Sequence, residues 1–391
     1  MGKYIERALE VDAILKEKSL LLLGPRQTGK SSFIKNELIK KADLYYSLLD
    51  QGLHLRLLSD PSLIRKEAQA KKRENAFIII DEIQKNPALL DEIHLMIEDY
   101  GHRFLLTGSS ARKLRASGTN LLGGRARTRA FHPFVYPEIK NHPLFSLEHI
   151  LTTGLLPPFF LTSEASTVEE DLSDYVNTYL KEEIAAEGLS RSLSGFARFL
   201  EVAALSNTGI INYTNIANDA QIPRQTVRLW FDILYDTLLA FELPVFRKTI
   251  KRKSIETSKM YLFDIGVTRI LRRLPPIHLE STDFGSFFEQ YIFMELRAFL
   301  DYKKPNAELF YWRSRSGHEV DFILDSKIAI EVKTTTQVQA KHLQGLKALQ
   351  EENLLERFIL VSRDESHQLE NGIEHMPWHL FLEKIWSGEI L

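Results

Sequence analysis

The sequence predicts an α/β fold that opens on a parallel sheet and continues into two further domains. Short apolar runs at 20–23, 77–80 and 104–106 are each followed by a polar loop and a helical pattern, as in strand–helix alternation. Beyond residue 132 prolines multiply and this alternation stops. At 391 residues the chain is also too long for one ordinary core. We therefore expect domains at 1–160, 161–278 and 279–391.

The composition is that of a globular protein and excludes several classes of site. Hydrophobic residues make up 44% and charged residues 26%, and the net charge of −2 gives no overall attraction to nucleic acid. The chain has no cysteine, which excludes disulfides and thiolate zinc sites and fits a reducing cytoplasm. No apolar run approaches the roughly eighteen residues of a membrane span, and the first residues lack a signal-peptide core. We expect a cytoplasmic protein with no membrane partner.

The first candidate site is a glycine-rich loop between a predicted strand and a predicted helix. It has the complete G-x-x-x-x-G-K-[ST] spacing of a phosphate-binding loop. Its residues are Gly24, Pro25, Arg26, Gln27, Thr28, Gly29, Lys30, Ser31 and Ser32. Backbone N–H groups would surround a polyphosphate, Lys30 would reach the β- and γ-phosphates, and Ser31 would bind Mg²⁺. An ordinary glycine-rich turn is the alternative, but the strand, the helix and the full spacing favour a nucleotide.

Polar residues end two further predicted strands. Asp81 and Glu82 follow the run at 77–80, and we assign Asp81 to the metal and Glu82 to polarising the attacking water. A helix cap is the alternative for this acidic pair. Thr107 and Ser109 follow the next strand and could sense a γ-phosphate or merely form the loop.

Arg125 lies beside two glycines and begins an alternating series of arginines. Its guanidinium could reach a γ-phosphate in the same chain or in a neighbouring chain. The alternative is a strand with a charged outer face.

Residues 213–230 predict a helix-turn-helix whose second helix is opened by Pro223. Its polar residues lie where base edges or phosphates could be contacted: Arg224, Gln225, Thr226 and Arg228. A basic stretch follows and could form a wing: Arg247, Lys248, Lys251, Arg252 and Lys253. Contact with DNA and contact with a protein partner are equally open.

The last domain carries a second set of acids. Asp321 lies in a predicted hairpin strand, and Glu331 and Lys333 share one face of the next strand. Two carboxylates that bind Mg²⁺ beside a lysine suit metal-assisted phosphodiester hydrolysis, and Glu289 could complete the ligand set from a helix. The alternative is an ordinary cross-strand Glu–Lys pattern facing solvent.

Hydrophobic periodicity predicts the other elements. We expect helices at 5–17, 32–41, 53–73, 88–99, 169–187, 196–205, 284–300 and 340–351. We expect strands at 44–49, 309–312, 317–324, 328–333 and 357–362.

The motif order resembles a family of prokaryotic AAA+-like ATP-binding proteins. The resemblance rests on residues 24–31, 80–85 and 106–110, and on 285–289, 319–322 and 330–333. It implies a P-loop ATPase domain, a helical winged-helix middle domain and a C-terminal domain with a PD-(D/E)XK nuclease-like fold. It also implies Walker A roles for Gly29, Lys30 and Ser31, Walker B roles for Asp81 and Glu82, and a sensor at Thr107 or Ser109. The implied nuclease-like set is Glu289, Asp321, Glu331 and Lys333.

The first functional hypothesis is a Mg²⁺-dependent ATPase, with ATP and Mg²⁺ as cofactors, coupled to a module that binds and could cleave DNA. The alternative is an ATP-controlled signalling or defence switch, in which the winged-helix and nuclease-like domains bind a protein partner and do not cut DNA. A small-molecule kinase is a third hypothesis, which the two additional domains disfavour. An oligomer is compatible with either of the first two.

Overall fold

The computed structural model of this chain describes residues 4–72, 74–110, 112, 114, 122–180 and 193–391. The chain divides into two units. The first comprises Met1–Phe134, Leu156–Pro158 and Asp236–Leu239, and the second comprises Val135–Leu155, Phe159–Tyr235 and Ala240–Leu391. The segments expected to form a middle and a C-terminal domain therefore lie largely in one unit.

In the described part of the first unit, five strands form a fully parallel sheet in the order β2-β3-β4-β1-β5. They are β1 (Ser19–Leu23), β2 (Leu44–Ser47), β3 (Phe77–Asp81), β4 (Arg103–Gly108) and β5 (Ala126–Ala130). Every residue of β1 is buried, which is why its sequence is a continuous apolar run instead of an alternating one. The predicted α/β fold with a parallel sheet is confirmed.

Helices cover this sheet. They are α1 (Asp12–Glu17), α2 (Lys30–Phe33), α3 (Gln51–Ser59), α4 (Leu63–Lys71) and α5 (Leu89–Tyr100). The helical path of α2 continues through a π turn (Ile34–Leu38) and a 3₁₀ turn (Ile39–Lys41).

Two predicted helices differ from the structure. The helix expected at 5–17 begins only at Asp12. The helix expected at 53–73 is split into α3 and α4, because Pro61 disfavours helical backbone at Asp60 and the Asp60 carboxylate instead accepts the Ser62 N–H at 3.1 Å. Arg73, at the end of that prediction, lies outside the described residues.

The middle of the chain is mainly helical. Its helices are α6 (Tyr136–Ile139), α7 (Leu147–Thr153), α8 (Pro157–Phe160), α9 (Ala165–Asp174), α10 (Leu193–Leu205), α11 (Tyr213–Ala220), α12 (Arg224–Asp236) and α13 (Ile265–Leu271). A π turn (Tyr175–Leu180) continues α9, and residues 181–187 of the helix predicted there lie outside the described residues. Two antiparallel strands, β6 (Ala240–Leu243) and β7 (Lys259–Leu262), follow α12.

The helix-turn-helix pattern of the sequence is present in α11 and α12. The Asn212 side chain caps α11, and Gln221 turns the chain with a φ of 54°. Val227, Trp230 and Phe231 are among the buried residues of α12, and they recur at helical spacing on one of its faces. The opposite face of α12 is therefore left for solvent or a ligand.

The C-terminal segment contains one long helix, α14 (Phe284–Lys303), and a mixed sheet of parallel and antiparallel strands. Its strands, in the order β12-β13-β11-β10-β9-β8, are β8 (Leu309–Arg313), β9 (Glu319–Leu324), β10 (Ile328–Val332), β11 (Arg357–Ser362), β12 (Gln368–Glu370) and β13 (Ile373–Pro377). A 3₁₀ turn (Ala340–Leu343) leads into α15 (Gln344–Gln350), and α16 (Trp378–Ser387) ends the fold. We did not predict β12, β13 or α16.

Among the described helices, none is both long enough and apolar enough to cross a membrane.

Candidate functional site

The glycine-rich loop curls at the carboxyl end of β1. Gln27 and Gly29 adopt positive φ values of 64° and 96°, which turns successive N–H groups toward the inside of the loop. The Lys30 ammonium donates hydrogen bonds to the carbonyl oxygens of Gly24 at 2.6 Å and Pro25 at 2.9 Å. Lys30 is thus already inside the loop, at the position from which it could move onto a phosphate.

Arg7, which no motif in the sequence indicated, binds both this loop and the segment that follows β5. Its guanidinium donates to the carbonyl oxygen of Thr28 at 2.7 Å and to those of His132 at 2.8 Å and Pro133 at 3.0 Å. It also lies 4.3 Å from the centre of the Phe131 ring. A buried arginine with three carbonyl acceptors fixes the loop against the segment after β5. No spacing in the sequence links Arg7 to that segment.

Asp81 is the last residue of β3, and it connects the start of α2, directly after the glycine-rich loop, to β4. Its carboxylate accepts a hydrogen bond from the Ser31 hydroxyl at 2.9 Å and another from the Thr107 hydroxyl. Asp81 is only 1% exposed, so a bare carboxylate there needs these partners or a cation. Ser31 and Asp81 offer hard oxygen ligands side by side, which fits Mg²⁺.

Glu82 follows in a left-handed backbone conformation, with a φ of 65° and a ψ of 44°. This turn directs its side chain toward Gln84, whose amide donates to the Glu82 carboxylate and, at 3.2 Å, to the Ser109 hydroxyl. Gly108 leaves the room for Gln84, because a Cβ there would lie 2.5 Å from the Gln84 side-chain oxygen. Gln84 thereby joins Glu82 to Ser109, and although it lies within the 80–85 motif, the sequence analysis assigned it no role.

Arg125 does not join these residues within the chain. It directly precedes β5 and its carbonyl accepts the N–H of Ser19, the first residue of β1. The glycine-rich loop begins at the other end of β1, about 16 Å away along a five-residue strand. Arg125 pairs instead with Glu98. The predicted contact in the same chain is therefore wrong, whereas a contact with a neighbouring chain's nucleotide stays a prediction.

The helix-turn-helix presents a cationic face at the start of α12. Arg224, Gln225 and Arg228 are exposed, whereas Thr226 is half-buried. The Arg228 guanidinium lies 5.5 Å from the centre of the Tyr213 ring on α11. These groups are placed where a phosphate backbone or acidic surface could reach them.

Part of the predicted basic wing is already bound by acidic residues of this chain and is less available to DNA or another ligand. The Glu352 carboxylate accepts three consecutive backbone N–H groups, those of Ile250 at 3.0 Å, Lys251 at 2.9 Å and Arg252 at 2.8 Å. The Arg252 side chain pairs with Glu351 at 2.6 Å. The loop is therefore tied to the end of α15, because these acids satisfy both its backbone and part of its charge.

An acidic cluster forms where the first half of α14, the start of β9 and the end of β10 meet. It consists of Glu289, Glu319, Asp321 and Glu331. Lys333 approaches Glu331 at 2.5 Å and Asp321 at 4.0 Å, so the structure brings together the acids and the lysine predicted from these two strands. Burial raises the pKa of Glu331 well above its ordinary value, and the neighbouring Asp321 raises it further.

A second lysine, which no sequence pattern indicated, lies in the same cluster. The Lys259 ammonium is 2.6 Å from Glu319, 3.1 Å from Glu289 and 3.8 Å from Asp321. Burial opposes its charge, but these carboxylates outweigh burial and raise its pKa. Burial also raises the pKa of Glu289 to about 7, with Lys259 acting in the opposite direction.

The predicted metal ligands Glu289, Asp321 and Glu331 do not form an open metal site. Glu289 accepts from Lys259 and from the Tyr261 hydroxyl at 2.5 Å, and Asp321 accepts the Val332 N–H at 2.8 Å. Within the described residues, the Glu331 Oε2 atom is buried with no hydrogen-bond partner, yet no three His, Asp or Glu side chains there are grouped to hold a metal.

Comparisons with known proteins divide the chain into three matched segments. A family model described as an AAA domain matches residues 16–140. Two models described as domains of unknown function, DUF8612 and DUF4143, match residues 144–277 and 284–381.

Two curated relatives match most of the chain. They are an uncharacterized protein of Mycobacterium bovis and an uncharacterized protein of Mycobacterium tuberculosis, each 24% identical over 334 residues, covering 83% of this chain and 72% of the relative. Among solved structures, a Walker-type ATPase of Pyrococcus abyssi aligns with a TM-score of 0.45 and 14% identity over 70% of this chain and 99% of that protein.

The matched AAA domain contains all residues assigned above to the nucleotide site except Arg7. The descriptions of the other two segments give no activity, so the winged-helix and nuclease-like assignments stay predictions. Residues 16–140 thus match an AAA domain and contain the glycine-rich phosphate-binding loop.

Proposed function

We propose that this chain is a Mg²⁺-dependent ATPase whose nucleotide state controls DNA binding by its helix-turn-helix. The observation that carries the ATPase part is the meeting of Lys30, Ser31 and Asp81 at the carboxyl ends of β1 and β3. Glu82 lies beside them at the same edge of the sheet, where ligands bind in open α/β sheets.

Each residue has a distinct task in this proposal. The loop N–H groups and Lys30 bind the phosphates, and Glu82 orients and polarises the attacking water. Ser31 and Asp81 would bind Mg²⁺, which neutralises charge on the β- and γ-phosphates. Thr107 fixes the Asp81 carboxylate, so that the metal-binding oxygens are oriented before nucleotide arrives.

The test of hydrolysis compares ATP turnover of the wild type, Lys30→Ala and Glu82→Gln, with Lys35→Ala as a control on an exposed lysine of the same helical run. We expect Lys30→Ala to lose nucleotide binding. We expect Glu82→Gln to keep ATP binding and to lose about 100-fold or more in kcat. Absence of Mg²⁺-dependent turnover in the wild type, or full turnover in Lys30→Ala, would overturn the ATPase proposal.

The DNA-binding part rests on the exposed Arg224, Gln225 and Arg228 at the start of α12. The N-terminal part of the second helix is the part that contacts base edges in helix-turn-helix proteins. The chain has a net charge of −2, so this local cationic face has to supply the attraction.

The corresponding experiment measures duplex DNA binding by fluorescence anisotropy over a range of salt concentrations. We expect the double variant Arg224→Ala, Arg228→Ala to weaken binding and to reduce the slope of log affinity against log salt by about 2. Lys71→Ala, on the exposed face of α4, serves as the control. ATP-loaded Glu82→Gln and ADP-loaded wild type should differ in affinity, and equal affinities would exclude control by the nucleotide.

A second candidate function, the ATP-controlled switch that contacts a protein, is favoured by the state of the basic loop. Arg252 pairs with the Glu351 carboxylate, and Lys251 donates to the Glu351 backbone carbonyl, so both side chains are tied to the residue after α15 and are less available to DNA. A wild type that hydrolyses ATP but neither binds nor cuts any DNA would select this candidate.

A further inference from the structure

The acidic cluster already contains a positive charge at the place where the nuclease-like prediction requires a metal. Three of its carboxylates, those of Glu289, Glu319 and Asp321, lie within 3.8 Å of the Lys259 ammonium. The fourth, Glu331, pairs with Lys333. Each of the three predicted metal ligands thus has a lysine as its counter-ion.

Lys259 is held in this position by its backbone and by its side chain. It begins β7, where it is paired with Leu243 of β6, and it also bridges to Ile210. The neighbouring Thr257 carbonyl accepts a hydrogen bond from the Tyr311 hydroxyl of β8. The ammonium lies 5.4 Å from the centre of the Tyr311 ring, and the side chain is only 3% exposed. Strand pairing therefore fixes the backbone of Lys259, and burial against Tyr311 and the carboxylates holds its side chain in the cluster.

An ammonium and a divalent metal exclude each other from this space. Mg²⁺ needs oxygen ligands at about 2.0–2.1 Å in an octahedral arrangement and keeps several waters. The Lys259 ammonium lies within hydrogen-bond distance of Glu319 and Glu289, and Asp321 completes its negative surroundings as an ion pair at 3.8 Å. A metal entering beside it would place a double positive charge close to a buried ammonium.

We propose that Lys259 is the resident cation of the acidic cluster, so that these acids do not bind a divalent metal in the wild-type protein. The cluster then fastens the strand pair β6–β7, which follows the helix-turn-helix, to α14 and β9. The C-terminal sheet serves as a scaffold for that attachment and does not cut DNA. This inference is independent of ATP hydrolysis.

The test is a titration of the full-length, nucleotide-free protein with Mn²⁺, followed by electron paramagnetic resonance. The proteins are the wild type, Lys259→Met, Asp321→Asn, and Lys259→Met combined with Asp321→Asn. Methionine keeps much of the lysine stem and removes the charge. We expect Lys259→Met to gain one equivalent of bound Mn²⁺ that Asp321→Asn abolishes. We expect the wild type and Asp321→Asn to bind Mn²⁺ equally.

Two results would overturn the proposal. The first is that the wild type binds Mn²⁺ and Asp321→Asn abolishes this binding; this comparison does not depend on any lysine variant. The other is a folded Lys259→Met protein, checked by circular dichroism, that gains no Mn²⁺. If Lys259→Met does not fold, Lys259→Gln, which retains a hydrogen-bond donor, takes its place in the same titration. Neither overturning result would alter the ATP turnover expected for the first unit.

Discussion

At the scale of single residues, the candidate nucleotide site depends on side chains to which the sequence motifs assigned no role. Arg7 fixes the glycine-rich loop through the Thr28 carbonyl, and Gln84 joins Glu82 to Ser109. Gln84 is a positioning residue in this arrangement, because it contacts the carboxylate of Glu82, the residue assigned to the attacking water, and holds it beside the Ser109 hydroxyl. Its removal should consequently affect the chemical step more than nucleotide binding.

We predict that Gln84→Ala lowers kcat for ATP about tenfold and changes the Kd of Mg²⁺–ATP by less than about twofold. Steady-state turnover and binding of a fluorescent nucleotide measure the two effects. Gln69→Ala, on the exposed face of α4, is the control. A parallel loss of affinity and kcat would contradict a positioning role.

At the scale of elements, α15 packs unusually close to β9 at Gly345. A Cβ at this position would lie 1.9 Å from the Glu319 carbonyl oxygen and 3.0 Å from its carbonyl carbon. Both atoms belong to backbone, so neither can rotate away. The close approach also fixes β9, the strand that carries Glu319 and Asp321.

We expect Gly345→Ala to lower the free energy of unfolding by about 1–3 kcal/mol, because the helix must move away from the sheet. Gly285→Ala is the matched control, since Gly285 lies in α14 and a Cβ at that position would meet no atom within 4 Å. That control should be neutral or stabilising by up to about 1 kcal/mol. Urea unfolding measures both variants, and equal stabilities would refute the packing argument.

Another contact between elements involves a buried carboxyl group in α14. Glu295 accepts the Tyr136 N–H of α6 at 2.9 Å and the Trp386 indole N–H of α16 at 2.8 Å. Burial raises the pKa of this carboxyl from its ordinary 4.5 to about 8. The folded protein therefore retains a proton on Glu295 over a pH range in which the unfolded chain has lost it.

This difference predicts the sign of a pH effect on stability. The contribution of Glu295 is fully present below pH 4.5 and is lost as the pH rises through about 8. The free energy of unfolding should therefore fall between these values more steeply in the wild type than in Glu295→Gln. Urea unfolding at a series of pH values measures the difference between the two curves. If the free energy of unfolding of the wild type minus that of Glu295→Gln stays constant or increases as the pH rises, this role of Glu295 is excluded.

At the scale of the whole molecule, a ligand that binds only the folded protein must stabilise it. A ligand at 100 times its Kd contributes about 2.7 kcal/mol. We predict that Mg²⁺–ATP raises the Tm of the wild type and of the control Lys35→Ala but not of Lys30→Ala. Differential scanning fluorimetry with and without Mg²⁺–ATP measures the shift. An equal shift in Lys30→Ala would mean that nucleotide binds elsewhere on the chain.

Local patterns predicted much of the fold because local physics controls those features. The buried parallel strands β1 and β3 appear as continuous apolar runs, and the helix-turn-helix appears in the spacing of Val227, Trp230 and Phe231. The prediction of one continuous helix at 53–73 was wrong, because backbone sterics at Pro61 override the apolar periodicity and divide it into two helices. The strands β12 and β13 were missed because their short segments carry polar residues that suggest a loop.

The sequence by itself determined the candidate nucleotide site, because the loop, Lys30 and Ser31 are consecutive and Asp81 ends the recognisable strand β3. Only the tertiary structure decided the state of the C-terminal acids. Lys259 comes from a strand that precedes Asp321 by about sixty residues, and chain topology alone brings its ammonium among them. The same reason separates Arg125 from the phosphate loop, because parallel pairing places it at the amino end of β1. Contacts between distant segments depend on strand order and register, and those are set by the packing of the whole unit.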